Sequence, residues 1–220
     1  MSSDSPRIAA LAALYQRYLD HQDSAALVAS VSEIYTQGTL ERLAEHPHCL
    51  VRRAAVLALG FLADYEANPV MGRALTDDDR TVRILAENGI RGVWARAGNA
   101  EESRLLESIV RLNAAQRYQE AVRRAGELIQ KAPWFAEPWN QRALARFALG
   151  QYADCIRDCH QALEINPYHF AAAAGMGQAY LHLNDHVAAL EAFRRALRLN
   201  PGLESIRVQV NRLARMIEGK

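Results

Sequence analysis

A chain of 220 residues with a net charge of +1 offers no global electrostatic reason to bind nucleic acid or an anionic membrane. Half of its residues are hydrophobic but only 7% are aromatic, a balance that suits helix packing and works against a sheet. Cys49, Cys155 and Cys159 are too few and too oddly spaced for a disulfide framework, and no apolar run approaches the roughly 20 residues that span a bilayer. Residues 1–23 scatter Asp4, Arg7, Arg17 and Asp20 among apolar positions, unlike the uncharged core of a signal peptide. The expectation is a cytoplasmic protein with no membrane association.

Residues 5–19 and 24–36 read as a helical pair, with Asp23 or Ser24 as the N-cap of the second member. A short helical segment, 40–45, and a polar turn, His46-Pro47-His48, then lead into Val51-Arg52-x-x-Ala55-x-x-x-Leu59-x-x-Leu62. The same order returns once more as segment 71–75, turn Asp77-Asp78-Asp79 and Val82-Arg83-x-x-Ala86-x-x-x-Ile90-x-x-Val93. Over about 39–97 this resembles the short HEAT repeats of phycobilisome-lyase-type proteins, and residues 1–98 are read as a HEAT-like helical repeat region. The join, Ala97-Gly98-Asn99-Ala100, is too short for a flexible linker.

Further along, Pro133, Pro167 and Pro201 recur at one constant interval, two of them in the near-identical phrases Ala-Leu-Glu-Ile-Asn-Pro and Ala-Leu-Arg-Leu-Asn-Pro. Taking each proline as position 32 gives repeats 102–135, 136–169 and 170–203. Position 8 is then Ile109, Ala143 and Gly177, and position 20 is Ala121, Cys155 and Ala189, mostly small residues that let paired helices approach. Trp139 takes position 4, Tyr118 and Tyr152 take position 17, and Gly150 takes the turn at position 15, where a positive φ suits glycine. The period and register resemble those of tetratricopeptide repeats (TPRs), two antiparallel helices per unit. The register departs at Leu105 and Gln116 in the first repeat, and at Arg142 and Arg146 in the second, where apolar residues are usual. Those two arginines share a helix face, and their guanidinium groups are expected to reach Asp154 or Asp158. Residues 204–217 carry Ile206, Val210, Leu213 and Met216 on one face and read as a capping helix, so residues 102–220 form three TPRs and a cap. The implied fold is all-α: a right-handed α-solenoid of antiparallel helix pairs, HEAT-like and then TPR, with about twelve or thirteen helices.

Nothing in the sequence assembles catalytic or metal-binding chemistry. Gly175-x-Gly177 lies inside a predicted helix with no strand before it, so it is no nucleotide loop. His46, His48 and Cys49 fall in a connecting turn, too few for a zinc site. Cys155 and Cys159 occupy TPR packing positions, and His160 points about 100° around the helix from Cys159. No enzyme, metal, cofactor or small-molecule substrate is expected.

The TPR resemblance implies a ligand groove lined by positions 2, 5, 9, 12 and 13 of each first helix. Chaperone-binding members of the family grip a peptide's C-terminal carboxylates with Lys and Arg. The corresponding residues here are Leu106, Val110, Gln141, Ala171 and Gly175, so that clamp is absent. The groove reads instead as apolar and amide-lined, suited to a helix or extended segment with bulky anchors. The residues singled out for partner binding are Asn113, Asn140, Leu144, Phe147, Ala174, Gln178 and Leu181, with Arg212 on the capping helix. The competing assignment for Leu144 and Phe147 is packing within the superhelix. The functional expectation is a non-catalytic adaptor or scaffold, a monomer or weak oligomer, that binds a protein or peptide. Two alternatives stand beside it. One is a chaperone-like or lyase-associated subunit acting on a cofactor-bearing protein, implied by the HEAT resemblance. The other is a phosphate or nucleic-acid binder using Arg52, Arg53, Arg80, Arg83 and Arg91, although Asp77, Asp78 and Asp79 stand ready to neutralise these arginines.

Overall fold

The computed structural model describes residues 5–217 and Gly219. Asp4 and the outermost ends of the two expected regions, residues 1–3, 218 and 220, lie outside these. Thirteen α-helices and a single 3-10 turn make up the described residues, with no strand among them. They divide into two compact units, Met1–Trp94 and Ala95–Lys220.

In the first unit, helix α1 (Ser5–His21) buries Leu11 and Tyr15, and α2 (Ser24–Ile34) buries Leu27 and Val31. Asp23 caps α2 by accepting from the Ala26 N–H, so the break between the two helices is encoded locally. Helix α3 (Gln37–Leu43) starts on the Thr36 hydroxyl. Helix α4 (Cys49–Leu62) buries half of its residues and contacts α1, α2, α3 and α5 (Asn68–Ala74). A helix apolar on so many sides belongs in the middle of a stack. Helix α6 (Arg80–Ala95) buries Val82, Ala86, Ile90 and Val93, the apolar stripe of the second HEAT phrase. Gly60 of α4 and Gly89 of α6 sit backbone to backbone: a Cβ on Gly60 would lie 2.8 Å from the Gly89 Cα. The buried Trp94 indole donates to the Asn68 Oδ1 at 2.8 Å, tying α6 to the start of α5.

The second unit opens with α7 (Ala100–Ala114), held at its start by a capping box in which Asn99 and Glu102 satisfy each other's backbone N–H groups. Its partner is α8 (Tyr118–Lys131), followed by α9 (Ala136–Ala148) with α10 (Tyr152–Ile165), and α11 (Phe170–His182) with α12 (His186–Leu199). Each first helix contacts its own second helix, and α9 also contacts the first helices α7 and α11. Helix α13 (Glu204–Ile217) packs on α12 through Ile206 and Leu213.

The three turns within the pairs share one conformation. Gln116, Gly150 and Asn184, all at position 15, have φ of +59°, +75° and +61°. Only Gly adopts this region without steric cost, so the first turn holds Gln in a conformation that its neighbours impose. The turns between pairs rest on Asn166 and Asn200, whose Oδ1 atoms accept from the N–H groups of Tyr168 and Gly202. Two core clusters result, one around Leu106, Ile109 and Phe135, the other around Cys159, Met176 and Phe193.

Candidate peptide-binding face

The first helices of the successive pairs in the second unit, α7, α9 and α11, present equivalent residues side by side. At position 9 stand Val110, Leu144 and Gln178, one from each repeat. Val110 is 43% exposed and Leu144 is 50% exposed, on helices that touch each other. Two large apolar side chains thus face water at the same repeat position, flanked by the half-buried Gln178, whose amide makes no hydrogen bond to the described residues.

The other expected site residues divide by how much of them the fold already uses. Ala174 and Leu181 are half-buried against the C-terminal core. The half-buried Phe147 meets Tyr152 and His182 edge-on, with ring centroids 5.4 and 5.1 Å away, and the last two rings stack on each other at 4.5 Å. Arg212 is exposed on α13. Asn113 is buried: its Nδ2 donates to the backbone O and the Oε1 of Gln141, at 3.0 and 2.9 Å. Asn140 donates to the Glu137 Oε1. These amides serve the fold.

They belong to a polar ladder across three repeats that sequence reading missed. Gln141, which accepts from Asn113, donates to the Glu137 Oε1 at 2.8 Å. The other Glu137 oxygen accepts from the Nε2 of His169, 3.0 Å away, and the Nδ1 of that fully buried ring accepts from the Ala172 N–H to cap α11. Burial pushes the Glu137 carboxyl up, but the hydrogen bond and charge interaction with His169, together with hydrogen bonds from Gln141 and Asn140, outweigh it and leave the group below its ordinary value. The signal was present, since Glu137 and Gln141 share one helix face a single turn apart, but the His169 link reaches almost a full repeat along the chain.

Away from this face, Arg142 and Arg146 both converge on Asp158, whose side chain is 2% exposed. Arg142 grips it with two bonds of 2.9 and 2.7 Å and lies 4.9 Å over the Trp139 ring. Asp154, the alternative acceptor, pairs with Arg157 instead. In the HEAT-like unit, Arg52 holds Asp77 with two bonds of 2.8 Å, and Arg53 holds Asp79 at 2.9 and 2.5 Å. Arg53 keeps the Asp79 carboxyl well below the usual carboxylate range, assisted by the Val82 N–H. Two of the candidate phosphate-binding arginines are therefore already neutralised. The Cys159 thiol is pushed well up by its hydrogen bond with Cys155 and by burial. No group of three or more His, Cys, Asp or Glu among the described residues is placed to hold a metal, and no helix among them is long and apolar enough to cross a membrane.

Helix pairs at a constant period with a shared turn conformation are those of a TPR array, and the family model for it covers the second and third pairs, α9 to α12. The tetratricopeptide-repeat model matches residues 134–201, and a HEAT-repeat model matches residues 36–125. A TPR repeat-containing protein of Rhizobium etli is 31% identical over 65% of this chain and 69% of its own length. The chain belongs to the TPR repeat family and carries HEAT-like repeats in its N-terminal part. The SGT1 homolog of Bos taurus is 32% identical over 46% of this chain, which spans only 30% of that protein. Among solved structures, the first TPR of Spaghetti (RPAP3), bound to the HSP90 peptide SRMEEVD, aligns with TM-score 0.52 at 21% identity, over 55% of this chain and 96% of that one. The TPR2AB domain of yeast Sti1, in complex with pHSP90, aligns with TM-score 0.50 at 20% identity, over 93% and 91%. At these identities the likeness concerns the fold.

Proposed function

We propose that the protein is a non-catalytic cytoplasmic adaptor that docks a helix or extended segment of a partner polypeptide on the first-helix face of its TPRs. Residues 102–220 are the reader, and residues 1–98 are the HEAT-like region. The observation that carries this reading is the exposed apolar pair Val110 and Leu144 at equivalent positions of adjoining helices. Desolvating such a pair favours a bulky apolar anchor, and buried anchors carry most of the affinity in interfaces of this kind. The Asn113 Nδ2, Gln141, Glu137 and His169 bond to one another and the Asn113 Oδ1 is buried, so the half-buried Gln178 is the amide offered to an incoming backbone. Relatives of known structure support protein binding as the general role, one of them holding the acidic HSP90 peptide SRMEEVD. This chain puts Leu106, Val110, Gln141, Ala171 and Gly175 where clamp cations stand, so its partner is recognised by apolar anchors and not by a terminal carboxylate.

Two measurements test this. A photo-cross-linking side chain in place of Leu144 is expected to trap a polypeptide in native cells, while the same group in place of the exposed Arg157 on α10 is not. Equal adducts from both positions would place the partner elsewhere. The SRMEEVD peptide is expected to show no saturable binding at concentrations that fill a clamp-bearing TPR domain.

A further inference from the structure

The two HEAT phrases place chemically equivalent arginines in equivalent surroundings, and only one of them meets a carboxylate. Arg52 Nη1 donates to the carbonyls of His46 and Pro47, both at 3.0 Å. One repeat on, Arg83 Nη1 donates to the carbonyls of Asp77 and Asp78, at 2.7 and 3.1 Å. The same atom of each guanidinium is anchored by the same two carbonyls of its own turn, so each fork is aimed by the same local device. The outer edge of Arg52, Nε and Nη2, grips the Asp77 carboxylate of the following turn bidentately. Among the described residues no carboxylate reaches the outer edge of Arg83. The neighbouring position has changed character in step. Where Arg53 grips Asp79, the equivalent residue is Ile84, an apolar side chain 45% exposed.

We propose that Arg83 and Ile84 form a docking site for an acidic turn of a partner polypeptide, of the form Asp-x-apolar at the start of a helix. The ligand chemistry is copied from within the molecule. Asp77-x-Asp79 is the turn that Arg52 and Arg53 receive, and the Asp77 Oδ1 also accepts from the Asp79 N–H, which holds the carboxylate in an Asx turn. Replacing Arg53 by Ile84 exchanges the second acid of that turn for an apolar residue and leaves the first acid unchanged. A planar fork fixed at one side and open at the other selects a carboxylate by geometry as well as charge, because little side-chain freedom remains to be lost. This site lies wholly in the HEAT-like unit and does not depend on the TPR-face reading.

The test uses the full chain, the side-chain Nε–Hε resonances of its arginines, and a probe peptide with the sequence of residues 74–82 carrying Asp79→Leu. In the free protein the Arg83 Nε–H is expected to exchange with water much faster than that of Arg52. Titration is expected to move the Arg83 resonance saturably and leave Arg52 in place. A peptide in which the residue corresponding to Asp77 is also replaced by Asn is expected to bind at least fivefold more weakly, a comparison that leaves the protein untouched. R83K keeps the charge but not the fork and is expected to lose affinity to a similar degree. The proposal is overturned if the Asn peptide binds equally well, if no saturable shift occurs, or if the Arg83 Nε–H is already as protected as that of Arg52. Inorganic phosphate acting at lower concentration than the peptide would reassign the site to phosphate.

Discussion

Gly177 shows how much of this fold rests on volume exchanged between single positions. A Cβ there would sit 2.5 Å from the Phe193 ring, which is fully buried. The same two repeat positions hold Ile109 with Ala125 and Ala143 with Cys159, so position 8 shrinks from Ile to Ala to Gly as position 24 grows from Ala to Cys to Phe. Gly177→Ala is expected to cost about 1–3 kcal/mol in a urea titration, because the ring has no room to yield in a packed seam. A neutral result would mean that α11 and α12 separate freely. Conversely, Gln116→Gly is expected to stabilise by about 1 kcal/mol, since Gln116 holds a φ of +59°. The small residues at position 8 are visible in the sequence. Their partners at position 24 are not, because complementary volume belongs to a pair and shows only once the two positions are known to face each other.

At the scale of helices and turns, the fold is joined by ionic groups whose loss has a definite sign. Asp158 serves two arginines with side chains 15% and 20% exposed, so Asp158→Ala leaves two part-buried cations without their shared carboxylate and is expected to cost about 3 kcal/mol. Replacing all three together by apolar residues of similar size is expected to cost less than the single change. Asp79 links the two HEAT repeats through Arg53 and also caps α6 by accepting from the Val82 N–H. Its folded-state pKa is depressed, so its contribution is complete above the unfolded carboxylate value near 4 and fades as pH falls below it. Asp79→Asn is expected to lower stability by about 2 kcal/mol at pH 7, and the gap to wild type is expected to narrow steadily below about pH 4. A gap independent of pH would show that the loss comes from packing alone. The arginine–aspartate link in the second TPR follows from the one-turn spacing of Arg142 and Arg146 and is legible in the sequence. The Glu137–His169 bond is not, because it joins one first helix to the cap of the next across a whole repeat.

On the scale of the whole chain, the repeat period and the TPR resemblance follow from prolines and small residues at fixed intervals, and the helices of the first unit follow from the two Val-Arg phrases and a local cap. The candidate face was legible only in part. Repeat arithmetic places Val110 and Leu144 at one position, but it cannot distinguish an amide that faces a ligand from one, like Asn113, that the neighbouring helix has already taken. Because the described residues divide at Trp94 and Ala95, the fragment 95–220 is expected to keep its helical circular dichroism and a cooperative melt on its own. The most direct test of the adaptor reading compares partner capture by wild type and by Leu144→Glu, both shown to be folded by circular dichroism. Leu144 is half exposed and outside the helix seams, so the substitution is expected to leave the melting temperature within about 2 °C while reducing capture at least tenfold. Full capture by a folded Leu144→Glu protein would contradict it.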